Sequence, residues 1–285
     1  MKAWLIYSEK EIERNREYIK IYEKNGEQLG IEIELIVSEL LEIGVRENKE
    51  YVLYRGEEIP CPDFAVCRDI YPLLTLQLER LGVRTYNNYE VARICNDKAL
   101  CIQYLAGKGI DVQESVFVRR GAVPAVKEYP VVTKPVSGRG GKGVLLARNE
   151  QELLKNIKNY DEDYLMQPLC KNPGKDLRVF VVGKEIVGAI LRSSDKDFRA
   201  NYCLGGDARV YELSEKERET VKRVIDCFDF GMVGVDFIFN EKNELIFNEI
   251  EDVVGSRTLY AKTDIDIVRK YLEYMKRDIE GRDER

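Results

Sequence analysis

Three acidic residues near the C-terminal end of the chain lie on two consecutive strand-like segments. Asp236 belongs to the apolar run MVGVDFIFN, and Glu249 and Glu251 belong to ELIFNEIE. A loop of even length centred on Lys242 and Asn243 would pair Asp236 with Glu249 across a hairpin. Glu251 then shares their face, because side chains alternate along a strand. Facing carboxylates repel one another, and an oxygen-binding cation such as Mg²⁺ or Mn²⁺ would relieve the repulsion.

Two alternatives to this metal site stay open. A loop of three or five residues would shift the register and separate Asp236 from Glu249, although Glu249 and Glu251 would still share a face. The acids could also form only an acidic sheet edge beside a surface turn. Asp252, the next acid in the chain, is expected to point away from the other three and to be structural or solvated.

The segment SGRGGKG separates two further strand-like runs. Its Gly-x-Gly-x-x-Gly spacing does not indicate a Rossmann loop, because VLLA follows as a strand rather than a helix. It is not a Walker loop either, because Gly143 rather than Ser or Thr follows Lys142. The pattern favours a hairpin lid that covers nucleotide phosphates, and an exposed turn with solvated cations is the alternative. Lys134, on the preceding apolar strand, is costly to bury without an anion and favours the phosphate.

The composition narrows the classes of function. The 285 residues include no histidine, which excludes imidazole catalysis and imidazole metal sites. The seven cysteines form no C-x-x-C pair, so neither a disulfide framework nor a thiolate zinc site is expected. A formal net charge of −6 argues against a nucleic-acid partner. Without a run of membrane-spanning length or a signal peptide, we expect a cytoplasmic protein without a membrane partner.

The coarse pattern predicts an α/β protein of three units. A strand–helix–strand start predicts a parallel sheet over residues 1–93. A helix and several strands around the glycine loop fill 94–170, and a long antiparallel section with a closing amphipathic helix fills 171–285.

Ten short features follow one another along the chain. They are NDK (96–98), VVTKP (131–135), SGRGGKG (137–143), QPL (167–169), DLRVFVVG (176–183), Arg192, DFRAN (197–201), Gly205-Gly206, VD (235–236) and NEIE (248–251). In this order and spacing they resemble the ATP-grasp superfamily, and specifically its RimK-like branch, which adds glutamate to peptides or links amino acids. The resemblance covers nearly the whole chain. It implies an ATP-grasp fold behind an N-terminal parallel α/β domain.

The resemblance also implies a reaction. The expected enzyme is an ATP-dependent carboxylate–amine ligase that forms an amide bond through an acyl phosphate, with ATP between two antiparallel sheets. Its substrates would be a small-molecule or peptide carboxylate and an amine, most simply an amino acid, and the family suggests a homodimer. Two alternatives are an ATP-binding regulatory or scaffold protein without turnover and a small-molecule kinase.

Site residues carry over from the family position by position. ATP is expected at the phosphate-binding lysines, the glycine loop, the hinge strand, the ribose-binding acid and one amide, which are Lys98, Lys134, Gly138, Arg139, Gly140, Gly141, Lys142, Gly143, Gln167, Pro168, Leu169, Asp176 and Asn201. Asp236, Glu249 and Glu251 would hold Mg²⁺, with two ions expected and Mn²⁺ as an alternative. Arg178, Arg192 and Arg199 would stabilise the transferring phosphoryl group, and Arg199 would also contact ATP. Arg178 and Arg192 could instead simply pair with acids across a hairpin.

The chain departs from the family after the metal acids. Glu251 stands where relatives usually carry Asn, and the following turn is different. Gly255-Ser256-Arg257 resembles the Ser-Arg of carbamoyl-phosphate-type grasp enzymes, so Arg257 is a candidate for the acyl phosphate or a substrate carboxylate, against a surface arginine. Further substrate candidates lie at strand ends of the first unit, where such folds line a cleft, and are Tyr7, Ser8 and Arg68. An ordinary ion pair between Arg68 and Asp69 is the alternative.

Overall fold

The computed structural model describes residues 1–199 and 206–283. The first unit contains, in chain order, β1 (Lys2–Tyr7), α1 (Glu9–Leu29), β2 (Glu32–Val37), β3 (Leu41–Arg46), β4 (Lys49–Tyr54), β5 (Glu57–Glu58), β6 (Phe64–Cys67), α2 (Pro72–Arg80), β7 (Arg84–Tyr86) and α3 (Tyr89–Cys95). Four of these strands form the predicted parallel sheet in the order β2-β1-β6-β7. β3, β4 and β5 form a small antiparallel sheet.

The central strand β1 is buried on both faces, as expected for a parallel sheet covered by helices. Leu5 and Tyr7 face α1 and the C-terminal helix of the chain, while Trp4 and Ile6 face α2 and β4. The carboxyl end of β1, where Tyr7 and Ser8 lie, therefore points to one edge of the sheet.

The second unit is built on an antiparallel sheet with the order β10-β9-β11-β8. Its elements are α4 (Lys98–Gly107), β8 (Val116–Val118), β9 (Val131–Pro135), β10 (Leu145–Ala147), α5 (Glu150–Ile157) and β11 (Tyr164–Pro168). α5 packs on the sheet through Leu153 and Ile157. Thr133 pairs with Leu145, so the glycine loop connects two hydrogen-bonded strands, as the sequence predicts.

The third unit is an antiparallel sheet with the order β14-β13-β12-β15-β16. Its elements are β12 (Lys175–Val182), β13 (Glu185–Ser193), β14 (Asp207–Val210), α6 (Glu215–Ile225), β15 (Met232–Phe239), β16 (Leu245–Glu251), α7 (Arg257–Lys262) and α8 (Ile267–Asp283). α8 returns to the first unit and packs against α1. Among the described residues, none of the helices combines the length and apolar composition that a membrane crossing requires.

In the described part of the chain, two sheets lie within residues 1–93, one lies within 94–170 and one lies within 171–285. The predicted boundary between 93 and 94 lies inside α3, which packs on α2 of the first unit. We therefore propose the same three units with the first boundary at the junction of α3 and α4.

Candidate active site

The three acids of the predicted metal site lie together on β15 and β16. Asp236 pairs with Glu249, as predicted, and Glu251 lies two pairs further along, opposite Gly234. One carboxylate oxygen from each of the three residues lies within 4.8 Å of those of the other two. Asp236 is buried, whereas Glu249 and Glu251 are partly exposed. The arrangement is a shallow acidic cluster that opens toward the second unit.

The Asp236–Glu249 pairing arises in a way that alternation along the strands does not predict. Phe239 pairs with Leu245, so the connecting loop has five residues, the case expected to break the pairing. A bulge between Phe237 and Asp236 corrects the register, because Asn248 is an extra residue on β16. The bulge therefore restores the facing acids.

Two arginines on neighbouring strands balance part of the acidic charge. Arg178, on β12, donates from Nε and Nη2 to the carboxylate oxygens of Asp236 at 2.7 and 2.6 Å, and its Nη1 lies 2.8 Å from Oε2 of Glu251. Arg192, on β13, donates to both oxygens of Asp176 at 2.6 and 2.8 Å and to Oδ2 of Asp236 at 2.8 Å. Both arginines therefore pair with acids on other strands of the same sheet, as the alternative interpretation describes. Two of these acids, Asp236 and Glu251, are also candidate metal ligands.

This network determines the charge of the two buried acids. Burial raises the pKa of Asp236, but Arg178 and Arg192 outweigh that effect and lower the pKa below its usual value. Burial raises the pKa of Asp176 to about 6 despite its pair with Arg192. Both oxygens of Asp176, the residue expected to bind ribose, are occupied by Arg192. The extra negative charge of Glu251, relative to the usual Asn, is offset by Arg178.

Two lysines approach the acids from the second unit. Lys134, on β9, is buried and donates to Oδ1 of Asn248 at 3.0 Å. Burial lowers the pKa of its amino group to about 8, although Glu249 opposes this shift. Lys98 begins α4, donates to the carbonyl of Gly138, and lies 3.6 Å from Oε2 of Glu249. The cleft between the sheets therefore has lysines on one wall and carboxylates on the other.

The glycine loop lies over this cleft. Gly140, Gly141 and Gly143 have φ values of 62°, 74° and 73°, a left-handed region that requires glycine in such a tight loop. Tyr160 donates to the carbonyl of Gly143 at 2.8 Å. Arg199, which also pairs with Asp197, donates to the carbonyl of Gly141 at 3.3 Å. Lys142 is exposed at the tip of the loop.

Asp252 connects the glycine loop to the other units. It points away from the metal acids, as expected, but it is buried rather than solvated. Its carboxylate accepts hydrogen bonds from Asn96 and Arg139, each at 2.9 Å, and its carbonyl accepts one from Asn87 at 2.8 Å. Arg139, expected at ATP phosphates, therefore contacts Asp252. Burial raises the pKa of Asp252, opposed mainly by Arg139.

The predicted hinge strand lies at the end of β11. Gln167 is buried and donates to Oγ of Ser115 at 2.8 Å. Pro168 accepts from Gln113 at 3.0 Å, and the N–H of Leu169 donates to the carbonyl of Pro130 at 3.2 Å. Two of the backbone groups in this stretch are therefore already bonded within the protein.

Several predicted residues lie away from the acidic cluster. Arg257 is exposed at the start of α7 and donates to the carbonyl of Arg14 at 3.2 Å. This position agrees with the alternative of a surface arginine. Arg68 is buried at the end of β6 and donates to the carbonyl of Val254, not to Asp69. Ser8 precedes α1, and its side chain makes no capping hydrogen bond. Asn201 lies outside the described residues.

The prediction missed two asparagines at this site. Asn248 faces Lys134 because of the bulge. Regular alternation along β16 would place Asn248 and Glu249 on opposite faces of the sheet. Asn87 donates to the carbonyls of Met232 and Asp252 and accepts from the N–H of Gly231. Neither role has a local sequence signal, because both depend on contacts between distant segments.

Comparison with known proteins identifies the family. Residues 95–275 match the RimK-like ATP-grasp domain. The chain belongs to the RimK-like ATP-grasp family. The predicted ATP-grasp fold, RimK-like branch and ATP-dependent ligase class are confirmed.

Curated relatives cover most of the chain. The glutamate–LysW ligase ArgX of Sulfurisphaera tokodaii is 27% identical in an alignment of 263 residues that covers 83% of this chain and 93% of the relative. A probable alpha-L-glutamate ligase of Legionella pneumophila is 29% identical over 270 residues, which are 88% of this chain and 89% of the relative.

Solved structures show the same fold at low identity. The VanG D-Ala:D-Ser ligase of Enterococcus faecalis superposes with a TM-score of 0.73 at 16% identity, over 96% of this chain and 98% of the other. The ATP-grasp ligase PsnB in complex with a minimal precursor, Mg and ADP gives a TM-score of 0.70 at 14% identity, over 96% of each chain.

Proposed function

We propose that this RimK-like ATP-grasp protein joins a carboxylate to the amine of an amino acid, with L-glutamate as the first candidate amine. The observation that carries the proposal is the cleft in which Lys98 and Lys134 face Asp236, Glu249 and Glu251 beneath a glycine loop. A scaffold would not need this combination. The glutamate ligases among the curated relatives support the choice of amine.

The residues of the acidic cluster fit a magnesium ion. All the donors are oxygen atoms, and they lie close enough to share one ion. Arg178 and Arg192 pair with Asp236, Arg178 also pairs with Glu251, and Lys98 lies 3.6 Å from Glu249, so cations of the protein already offset part of the acidic charge. We propose Asp236, Glu249 and Glu251 as the ligands, with a second ion or Mn²⁺ as extensions. Bound magnesium would neutralise phosphate oxygens during transfer.

The protein groups would act by position and charge. Lys98 and Lys134 would bind the ATP phosphates, and the glycine loop would exclude water from them. An oxygen of the substrate carboxylate attacks the γ-phosphorus, ADP leaves, and an acyl phosphate forms. The amine nitrogen then attacks the acyl carbon, and inorganic phosphate leaves with the former carboxylate oxygen. Arg178 and Arg192 lie where they could stabilise the negative charge of these steps, and Arg199 joins the glycine loop.

We propose adenine at 167–169, ribose at Asp176, and a phosphate or metal contact for Asn201. A homodimer and a cytoplasmic location, without nucleic-acid or membrane partners, also stay predictions.

The test measures ADP release with Mg-ATP, L-glutamate and a panel of carboxylic acids and short peptides, with mass analysis of the products. We expect ADP release that depends on both substrates and a product containing a new amide bond. Asp236→Asn should abolish release, whereas the matched control Asp226→Asn, at an exposed acid, should retain it. A stable phosphorylated product without an amide would favour the kinase, and nucleotide binding without ADP release would favour the scaffold.

A further inference from the structure

Arg68 is a buried cation without a carboxylate partner. It follows β6 at the carboxyl edge of the parallel sheet, and only 8% of its surface is exposed. Among the described side chains, those of residues 1–199 and 206–281, no acidic oxygen lies within ion-pair distance of its guanidinium group. Arg84, on the neighbouring strand β7, instead pairs with Asp229 and Asp278. Because burying an unpaired charge is costly, Arg68 needs another source of negative charge.

The groups in direct contact with Arg68 are neutral and polar, and the carboxylate of Asp252 acts on it only at longer range. Its Nε donates to the hydroxyl of Tyr7 at 3.3 Å, its Nη2 donates to the carbonyl of Val254 at 3.0 Å, and its guanidinium lies 5.4 Å from the centre of the Tyr18 ring. Nη1 has no hydrogen-bond partner in the described part of the chain. The hydroxyl of Tyr22, also near this cation, is buried and likewise lacks a partner there.

Two tyrosine hydroxyls retain protons for a ligand. The Tyr7 hydroxyl accepts from Arg68, and the Tyr18 hydroxyl accepts from Oγ of Ser256 at 2.9 Å. Each can still donate its own proton. A guanidinium with free N–H groups beside two hydroxyl donors matches the oxygen atoms of a carboxylate.

The location connects this group of donors to the reaction. Val254, which accepts from Arg68, lies three residues after Glu251 of the acidic cluster. Three residues of extended chain span at most about 10 Å. A substrate of amino-acid or dipeptide size could therefore reach from Arg68 toward the cleft.

We propose that Arg68, with the hydroxyls of Tyr7 and Tyr18, binds a carboxylate of the amino-acid substrate that is recognised but not phosphorylated. This inference rests on the proposed ligase function and adds a specificity site to it. Arg68 holds this carboxylate while the cleft between the sheets carries out phosphoryl transfer.

The test compares L-glutamate with its diamide, in which both carboxylates are neutral. In wild-type protein we expect a clear preference for L-glutamate in kcat/KM. Arg68→Met should reduce that preference at least tenfold and leave the KM for ATP within twofold. Arg68→Lys keeps a charge and should retain part of the preference, which keeps the test valid if the methionine variant folds poorly.

A matched control removes an arginine from the same sheet. Arg84→Met should lower the Tm, because it removes the arginine that pairs with Asp229 and Asp278, without changing the preference for L-glutamate. If Arg68 only supports the loop at Val254, its loss would affect both compounds equally, and an unchanged preference overturns the proposal. The proposal is also overturned if L-glutamate does not bind to wild-type protein in the presence of Mg²⁺ and a non-hydrolysable ATP analogue.

Calorimetry separates this inference from the ligase proposal. Arg68-dependent binding of L-glutamate without ADP release would support the carboxylate site and contradict the ligase. ADP release with a preference that does not depend on Arg68 would support the ligase and contradict the carboxylate site.

Discussion

The ion pair between Arg139 and Asp252 should hold the glycine loop closed in the absence of nucleotide. Arg139 is the charged residue of the loop that reaches the third unit, and its Nη2 donates to Oδ1 of Asp252 at 2.9 Å. The Asp252 side chain is 5% exposed and that of Arg139 is 36% exposed, so water screens the pair only in part. Replacing Asp252 with Asn preserves its shape but removes the charge.

The geometry sets the size of the effect. Opposite charges at about 4 Å attract by about 4 kcal/mol in the environment of a protein surface. Ordering a long arginine side chain costs up to about 2 kcal/mol, and partial exposure of Arg139 weakens the attraction further. About 1–2 kcal/mol remains, which overlaps the range of about 1.5–3 kcal/mol for a hydrogen bond to a charged group. Asp252→Asn should therefore increase the open population of the loop by about 5–30-fold.

Limited trypsin digestion measures this population, because Arg139 and Lys142 are cleavage sites in the loop. Cleavage there should be about 5–30-fold faster in Asp252→Asn, while Asp264→Asn, at an exposed acid, should resemble wild type. Adding Arg139→Gln to Asp252→Asn should change cleavage at Lys142 little, because the pair is already broken. Urea unfolding of each variant separates opening of the loop from a loss of global stability, because the Asp252 carboxylate also accepts a hydrogen bond from Asn96. Equal cleavage at Lys142 in wild type and Asp252→Asn would refute the closing role of the pair.

Three further substitutions test the stability of the site. Asp236→Asn should lower the free energy of unfolding, measured with urea, by about 3–5 kcal/mol, because Arg178 and Arg192 lose a buried counter-charge; an unchanged midpoint would contradict the network. Lys134→Met should raise the stability of nucleotide-free protein at pH 7 by roughly 1–3 kcal/mol and remove stabilisation by ATP, because burial lowers the pKa of Lys134 to about 8 from 10.5. Between about pH 8 and 10.5 the unfolded wild-type chain binds more protons than the folded protein, so the free energy of unfolding should rise with pH over this range. The same pH dependence in wild type and Lys134→Met would contradict the contribution of this lysine. Asn87→Ala should lower the free energy of unfolding by about 2–4 kcal/mol, seen as a lower Tm, because three buried backbone groups lose their partner; a Tm equal to that of wild type would show that these bonds are dispensable.

Much of the fold follows from patterns that are local in the chain. The apolar segments MVGVDFIFN and ELIFNEIE predict β15 and β16 close to their observed bounds, and the strand–helix–strand start predicts the parallel sheet. β14 and α7 were not predicted, because both are short and depend on packing against β13. The long, regularly patterned segments were therefore the predictable ones.

The amino-acid sequence by itself determined the types of groups at the site and the shared face of Glu249 and Glu251, because side-chain alternation and the backbone freedom of glycine are local properties. Only the tertiary structure decided which partners these groups have. The bulge at Asn248 corrects a five-residue loop, Asp252 is buried against Arg139, and Arg68 is left without an acid. Each of these outcomes depends on contacts between segments far apart in the chain, and burial in those contacts determines which charges must be paired.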